Sequence, residues 1–410
     1  MSNIIFNVQE WALSPLLIYI VESDTSGYAN KNNMDYWISV IFVAASAFSF
    51  LGFYIQGWIA TRFGYKSSFC LVYFFNLLGN IIQYIKYDNI LYICIGQVLY
   101  GMSNSSLISQ TWLNFISDDT DAVQMQVFFE NSYSIGCIMG VLVAGLANEY
   151  IGMNSWGVIN LFIIVCDVVL LTSLMFVYEP FQHREGKIKL TWTKSLRLKD
   201  TKPSKQPSDQ ENSFRDGSSK FKIRNVSSRI ICAFVIGICS AIYNSYLSIK
   251  LETDYHFSVL QVCFVYAALA VLSLILSTIF VQRITDRLNE HHTLLISFIA
   301  LTIVYVTFGV CLEFVSMQSA FTIIGFFTAI EVILQFSEVS NGVTIQKRTP
   351  EKLRARILML SITAHEIGYV LGGLVVLQLP NSSLFYVLAG LALASSFIVR
   401  FSNKIDNDGT

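Results

Sequence analysis

Polar residues fall in short clusters between long apolar runs along this chain. A membrane-spanning helix needs about 20 mostly apolar residues. Twelve runs approach or meet that length: 3–22, 36–58, 66–86, 90–112, 123–147 and 157–178, then 229–250, 258–282, 291–313, 319–345, 354–378 and 383–402. The first is short and carries Glu10. It lacks a basic start and a small-residue cleavage site, so it reads as a first membrane helix and not as a signal peptide. Between the sixth and seventh runs, 179–228 is rich in Lys, Ser and Asp and holds Pro203 and Pro207. No apolar periodicity persists there, which predicts a disordered cytosolic connector. The pattern predicts an all-α membrane protein: a six-helix bundle over 1–178, the linker 179–228, a second six-helix bundle over 229–402, and a cytosolic tail over 403–410.

Charge gives an independent test of that count. Of 27 Lys and Arg, 24 fall in segments that share one side of the membrane if there are twelve spans, and thirteen of those lie in 179–229. Lys31, Lys86 and Lys250 fall on the other side. Basic residues concentrate in cytosolic loops, so both termini are predicted to be cytosolic. Only 13% of residues are charged and 54% are hydrophobic, against about 25% charged in soluble domains. A net charge of −1 gives no reason to expect a nucleic-acid partner.

The eight cysteines lie inside apolar runs without a CxxC pair, which reads as packing. No phosphate-binding glycine loop, metal-ligand spacing or nucleophile–His constellation is present. The sequence points to no enzyme, no metal and no cofactor.

Candidate chemistry lies in acids within the apolar runs. Glu10, Glu130, Asp167, Glu331, Glu338 and Glu366 fall inside predicted spans, whereas every Lys and Arg falls in a loop or at a helix end. An ionisable group at the centre of a membrane helix costs about 2.5–3.5 kcal/mol on insertion scales and marks function by default. Lone carboxylates there can exchange protons or receive a cation, but they cannot neutralise an anion. Thr328, Glu331, Gln335 and Glu338 follow spacings of three, four and three, which stacks them on one face of the tenth predicted helix. Gln110, with Ser103, Ser106 and Asn114, lines one side of the fourth. Tyr243, Asn244 and Tyr246 lie on the seventh, and Gln9 and Glu10 on the first. Glu130, His365 and Glu366 are candidates for a proton relay, because His titrates near neutrality. Asp167 fits structural packing better.

The two halves also repeat. Ile135-Gly136-Cys137-Ile138-Met139-Gly140-Val141-Leu142-Val143 parallels Ile367-Gly368-Tyr369-Val370-Leu371-Gly372-Gly373-Leu374-Val375, and each stretch lies in the fifth predicted helix of its half. Such glycines suit either close packing or a sliding gate between halves. Two parallel repeats around a central site form a transporter architecture.

Between the second and third helices stands Gly57-Trp58-Ile59-Ala60-Thr61-Arg62-Phe63-Gly64-Tyr65-Lys66, and between the eighth and ninth Gln282-Arg283-Ile284-Thr285-Asp286-Arg287. These resemble the loop motif of the major facilitator superfamily, with Thr61 where the family carries an acid. The resemblance implies a cytosolic latch at Gly57, Arg62, Gly64, Asp286 and Arg287. It also implies that the first, fourth, seventh and tenth helices border a central cavity. Gln97 stands where the family often has Arg, and Val141 where Pro is common. Trp37-Ile38, Gly101 with its small polar successors, and Asn289-Glu290-His291-His292-Thr293-Leu294-Leu295 resemble the branch containing the lysosomal protein linked to neuronal ceroid lipofuscinosis. That implies an endolysosomal address, with the plasma membrane as the alternative.

The function expected is secondary transport of a small molecule or ion by a monomer in the lipid bilayer, with proton coupling. A non-transporting receptor or scaffold of the same fold, and a cation channel, remain as alternatives.

Overall fold

Backbone polar groups in lipid must bond to one another, and a helix satisfies them within one segment. In the computed structural model, which describes residues 2–29, 33–116, 122–176, 181–184, 187–190, 224–314, 319–349, 351–376 and 381–407, the apolar runs are all helical. In chain order these are α1 (Ser2–Leu13), α2 (Leu17–Glu22), α3 (Met34–Phe63), α4 (Tyr65–Ile85), α5 (Ile90–Met102), α6 (Ser106–Ile116), α7 (Ala122–Ile151) and α8 (Ser155–Phe176). After the linker come α9 (Arg224–Thr253), α10 (Val259–Leu276), α11 (Gln282–Phe314), α12 (Ala320–Arg348), α13 (Glu351–Val376) and α14 (Asn381–Asn407).

Among the described residues ten helices, α3, α4 and α7 to α14, are long and apolar enough to cross a membrane. The first and fourth predicted spans are instead interrupted. Ser14–Leu16 forms a 3₁₀ turn between α1 and α2, with Pro15 unable to donate to the helix ladder. The polar run Ser103-Asn104-Ser105 separates α5 from α6, and Asn104 Oδ1 accepts from the Ser106 N–H at 3.0 Å to start the next helix. α11 bends at Asn289, where φ is 67°. α10 ends in a π-helical turn, Ser277–Val281.

The linker is not wholly irregular. Phe181–Arg184 (β1) pairs antiparallel with Lys187–Leu190 (β2), with Phe181 opposite Leu190. α9 begins at Arg224, inside the stretch predicted to be connector. The remainder of 179–228 lies outside the described residues.

The repeated glycines occupy equivalent places. A Cβ at Gly136 would meet the Ile4 carbonyl at 2.8 Å, and one at Gly140 would meet the Val8 backbone, so α7 lies directly on α1. A Cβ at Gly368 would meet the Phe234 carbonyl and one at Gly372 the Ile238 carbonyl at 2.7 Å, so α13 lies on α9 in the same way. Missing side chains let these backbones approach. The glycines therefore pack helices within each half of the chain. Contact between the halves runs through α7 against α10 and α3 against α13.

One buried cluster, including Trp11, Leu16, Ile20, Tyr266, Phe308 and Phe385, runs through both halves. Large apolar side chains such as Phe74, Phe176, Ile303, Phe321 and Phe401 face outward. This is the arrangement expected where the surrounding solvent is hydrocarbon.

Candidate functional site

A polar stripe on an otherwise apolar helix must meet other polar groups or water. On α12 that stripe is Glu331, Gln335 and Glu338, and it faces a cavity of about 190 Å³ between the two halves of the chain. Ser273, Gln335 and Tyr243 stand around the Glu331 carboxyl group. Ser240 on α9 donates to Glu338 Oε1 at 3.4 Å. Across the cavity, Gln110 on α6 donates to Gln126 Oε1 at 2.9 Å, and Gln126 Nε2 donates to Glu130 Oε1 at 2.8 Å. Both of those side chains lie on α7, four residues apart and hence on one face. Glu130 and Glu331 both act electrostatically on Glu338.

A second carboxylate group sits against α1 and α13. Glu10 and Glu366 interact with each other. Asn104, exposed to the cavity by the break between α5 and α6, donates to Glu366 Oε1 at 3.2 Å. Asn244 donates from Nδ2 to the Tyr369 hydroxyl at 3.0 Å. Trp11 and Tyr133 meet edge to face at 5.8 Å on the same wall. The close approach of α1 to α7 at Gly136 and Gly140 sets where Glu10 and Trp11 stand.

Five carboxylates thus line one cavity, together with His365, and among the described residues neither Lys nor Arg lines it. Electrostatically the site suits positive charge. Among the described residues, no three His, Cys, Asp or Glu side chains gather as a metal-holding group.

All the sequence-predicted binding and relay residues line this cavity except Thr328. The Thr328 hydroxyl donates to the Ile324 carbonyl of its own helix at 2.7 Å. At its level aromatic rings fill the space, with Phe327 5.7 Å from Tyr243 and stacked 5.9 Å from Tyr246. Tyr246 belongs to that aromatic cluster and does not line the cavity. The fourth-helix stripe is divided: Ser106 and Gln110 line the cavity, Ser103 donates to the Tyr100 carbonyl in the break at 2.7 Å, and the Asn114 side chain lies outside the described residues. Gln9 turns away to accept from Asn80 at 3.2 Å. Asp167 is fully buried and distant from the cavity lining, held by Asn76 on α4.

The latch residues are not joined among the described residues. Gly64 makes the turn between α3 and α4 with φ 90°, a conformation that favours glycine. Arg62 lies 4.8 Å over the Trp58 ring, and no ion pair to it is found among the described residues. A Cβ at Gly57 would meet open space. Arg287 is exposed, and the Asp286 side chain is outside the described residues.

Several lining residues escaped the sequence reading. Asn341 continues the α12 stripe three residues past Glu338, and Gln126 stands four before Glu130, so periodicity carried both signals. Asn104 was marked only by the polar run that breaks its helix. Tyr133 and Tyr369 had no signal, since aromatic residues are common in any apolar helix.

A family model described as Major Facilitator Superfamily matches residues 1–373. No curated protein sequence matches the chain. The chain superposes on the crystal structure of the human organic anion transporter MFSD10 (TETRAN) with a TM-score of 0.69 at 13% identity, covering 97% of each chain. On a D-xylose-proton symporter the TM-score is 0.73 at 10% identity, covering 97% of this chain and 94% of that one. On the POT family transporter PepTSo it is 0.70 at 12% identity, covering 98% and 96%. At these identities the likeness is one of fold.

Proposed function

Because the chain belongs to the Major Facilitator Superfamily, we propose that it is a secondary active transporter that moves a small solute by alternating access, with protons coupled through the cavity carboxylates. One observation carries this reading: Glu10, Glu130, Glu331, Glu338 and Glu366 converge from α1, α7, α12 and α13 on a single cavity that no described Lys or Arg lines. Carboxylates held there against desolvation are expensive unless they exchange charge with something that moves. A proton symporter among the structures of similar fold is consistent with this assignment. Glu331 and Glu338 serve as the principal coupling and binding groups. Gln335, Gln110, Asn244 and Tyr243 contribute to the solute site, and Glu130, His365 and Glu366 relay protons.

The proposed topology has twelve spans, with α1–α2 and α5–α6 each crossing as one interrupted helix, and both termini in the cytosol. The unit of function is a monomer, since the cavity is complete within one chain; light scattering of the purified protein tests this. Residues 1–178 and 229–402 form the two rocking halves. The address is endolysosomal, which imaging of a tagged protein tests directly.

In proteoliposomes, uptake should saturate with solute and depend on an imposed pH gradient. Glu331→Gln combined with Glu338→Gln should lower uptake by about 10- to 100-fold, as loss of charged hydrogen-bonding groups predicts. Transport indifferent to both the gradient and the double substitution removes proton coupling. Steady conductance without saturable flux assigns a channel instead. Labelling that finds the cavity open to one side under all conditions assigns a receptor or scaffold.

A further inference from the structure

The acids of the cavity are spread out, and their spacing carries information about the solute. Glu331 and Glu338 are seven residues apart on α12, which separates their Cα atoms by about 10 Å along the helix. Glu130, Glu331 and Glu338 interact as one group. Glu10 and Glu366 interact as another. Tyr133 lines the same cavity and meets Trp11, the neighbour of Glu10, edge to face at 5.8 Å.

A second observation concerns donors. Among the described residues, three amides of the cavity lining have buried carbonyl oxygens without a hydrogen-bond donor: Gln335 Oε1, Asn341 Oδ1 and Asn244 Oδ1. Their exposures are 4%, 4% and 5%. Two of the amide nitrogens are already committed. Asn341 Nδ2 donates to the Arg229 carbonyl at 3.2 Å and Asn244 Nδ2 donates to the Tyr369 hydroxyl at 3.0 Å. The Asn341 bond fixes which end of that amide is oxygen, because a carbonyl can only accept. Two of the unfilled acceptors lie on the helix face of Glu331 and Glu338. The third lies beside Tyr369, against the Glu10 and Glu366 group. A buried acceptor is costly until a donor reaches it.

Both carboxylate groups therefore ask for the same chemistry: positive charge carrying several N–H bonds. A metal ion offers no N–H and needs ligands gathered around one point. A single ammonium group answers only one of the two groups. An aliphatic chain between two ammonium groups would run past Trp11 and Tyr133, whose faces attract cations and whose bodies are apolar.

We infer that the cavity binds a linear aliphatic diamine or polyamine, with one ammonium group at Glu331 and Glu338 and another at Glu10 and Glu366; the identification of this cavity as a solute site rests on the transport reading above. An ammonium group supplies three donors with its charge, which satisfies carboxylates and orphan carbonyls together. The cavity volume of about 190 Å³ lies below the roughly 300–1,000 Å³ of drug-sized sites, so the ligand is small.

The test is a binding titration of the full-length protein in lipid nanodiscs, followed through thermal stabilisation. The probes are spermidine, butylamine, succinate and xylose. Spermidine should bind about tenfold or more tightly than butylamine, and succinate and xylose should not compete. Glu366→Gln and Glu338→Gln, tested singly, should each erase the advantage of spermidine over butylamine. Equal binding of spermidine and butylamine, or preference for succinate or xylose, overturns the inference from the wild-type protein alone, whatever the variants do. Spermidine binding without uptake into proteoliposomes leaves the amine site standing and removes the transport reading. Saturable uptake of xylose or succinate without spermidine binding does the reverse.

Discussion

Asp167 on α8 and Glu338 on α12 are both carboxylates within apolar helices, yet their surroundings differ in the supply of donors. Asp167 is fully buried and accepts from Asn76 Nδ2 at 3.1 and 3.0 Å and from Asn80 Nδ2 at 3.5 Å. Asn80 reaches on to Gln9 of α1, and Ser103 in the α5–α6 break donates to Asn76 Oδ1 at 3.4 Å. The Asp167 carboxyl group holds α8, α4, α1 and the break in one arrangement. Among the described residues Glu338 receives one hydrogen bond, from the Ser240 hydroxyl, and stands near Glu130 and Glu331. An acid surrounded by amide donors is a clamp. One set among other acids, with carbonyls lacking donors nearby, is a place for something that arrives and leaves.

The largest effect expected from breaking this contrast is at the clamp. Asp167→Ala would leave the Asn76 and Asn80 amides without their acceptor. It should destabilise the protein by about 2–5 kcal/mol, read as a lowered melting temperature in detergent. If instead the variant melts like the parent, the clamp is not structural.

The double substitution Glu331→Gln and Glu338→Gln should do the opposite. Stability should change by no more than about 1 kcal/mol, since Gln keeps the shape and its amide oxygen can still accept from the Ser240 hydroxyl, while uptake collapses as described above. A large loss of stability there would place these acids in the same class as Asp167.

The smallest effect sharpens the comparison with a third carboxylate, outside the membrane. Asp24 accepts from the Ser26 hydroxyl at 2.6 Å, from the Ala29 N–H at 2.9 Å and from the Ile90 N–H at 3.1 Å, so it ties the first loop to the start of α5. Partial burial alone would raise its pKa, but the hydrogen bonds from Ser26, Ala29 and Ile90 outweigh it and hold the carboxyl below its ordinary 3.8. A lowered folded-state pKa means the stabilisation is full above the unfolded value of about 3.9 and is lost as pH falls through the folded value. The clasp therefore stays charged in a mildly acidic compartment. Asp24→Asn should cost about 1 kcal/mol near neutrality and flatten the fall in melting temperature at the acid end. An unchanged acid limb would show that other groups set it.

Much of this was legible along the chain. Apolar runs of spanning length predict ten of the helices, because that signal is local; the glycine repeat marks two stretches suited to close packing or a gate, but which helix each one meets, α1 for α7 and α9 for α13, came from the structure. The breaks within the first and fourth spans were harder to read. Pro15 and Ser103-Asn104-Ser105 were visible as residues, but whether a lipid-embedded helix bends, continues or stops depends on which neighbours take up the freed backbone groups. The stripe on α12 was legible from its spacing, yet Thr328 fell outside the cavity because aromatic rings from α9 and its own helix close that level.

The sequence by itself determined that this is a helical membrane protein of repeated halves with acids where lipid would forbid them. Periodicity, length and composition are properties of single segments, and the solvent around each segment acts on them directly. Only the tertiary structure decided which acids share a cavity, that Asp167 has amide donors while Glu338 has a single hydroxyl among the described residues, and that Gln335, Asn341 and Asn244 of the same lining carry buried oxygens without donors. Those outcomes depend on what a different helix brings to within about 3 Å, which is the range over which a hydrogen bond forms.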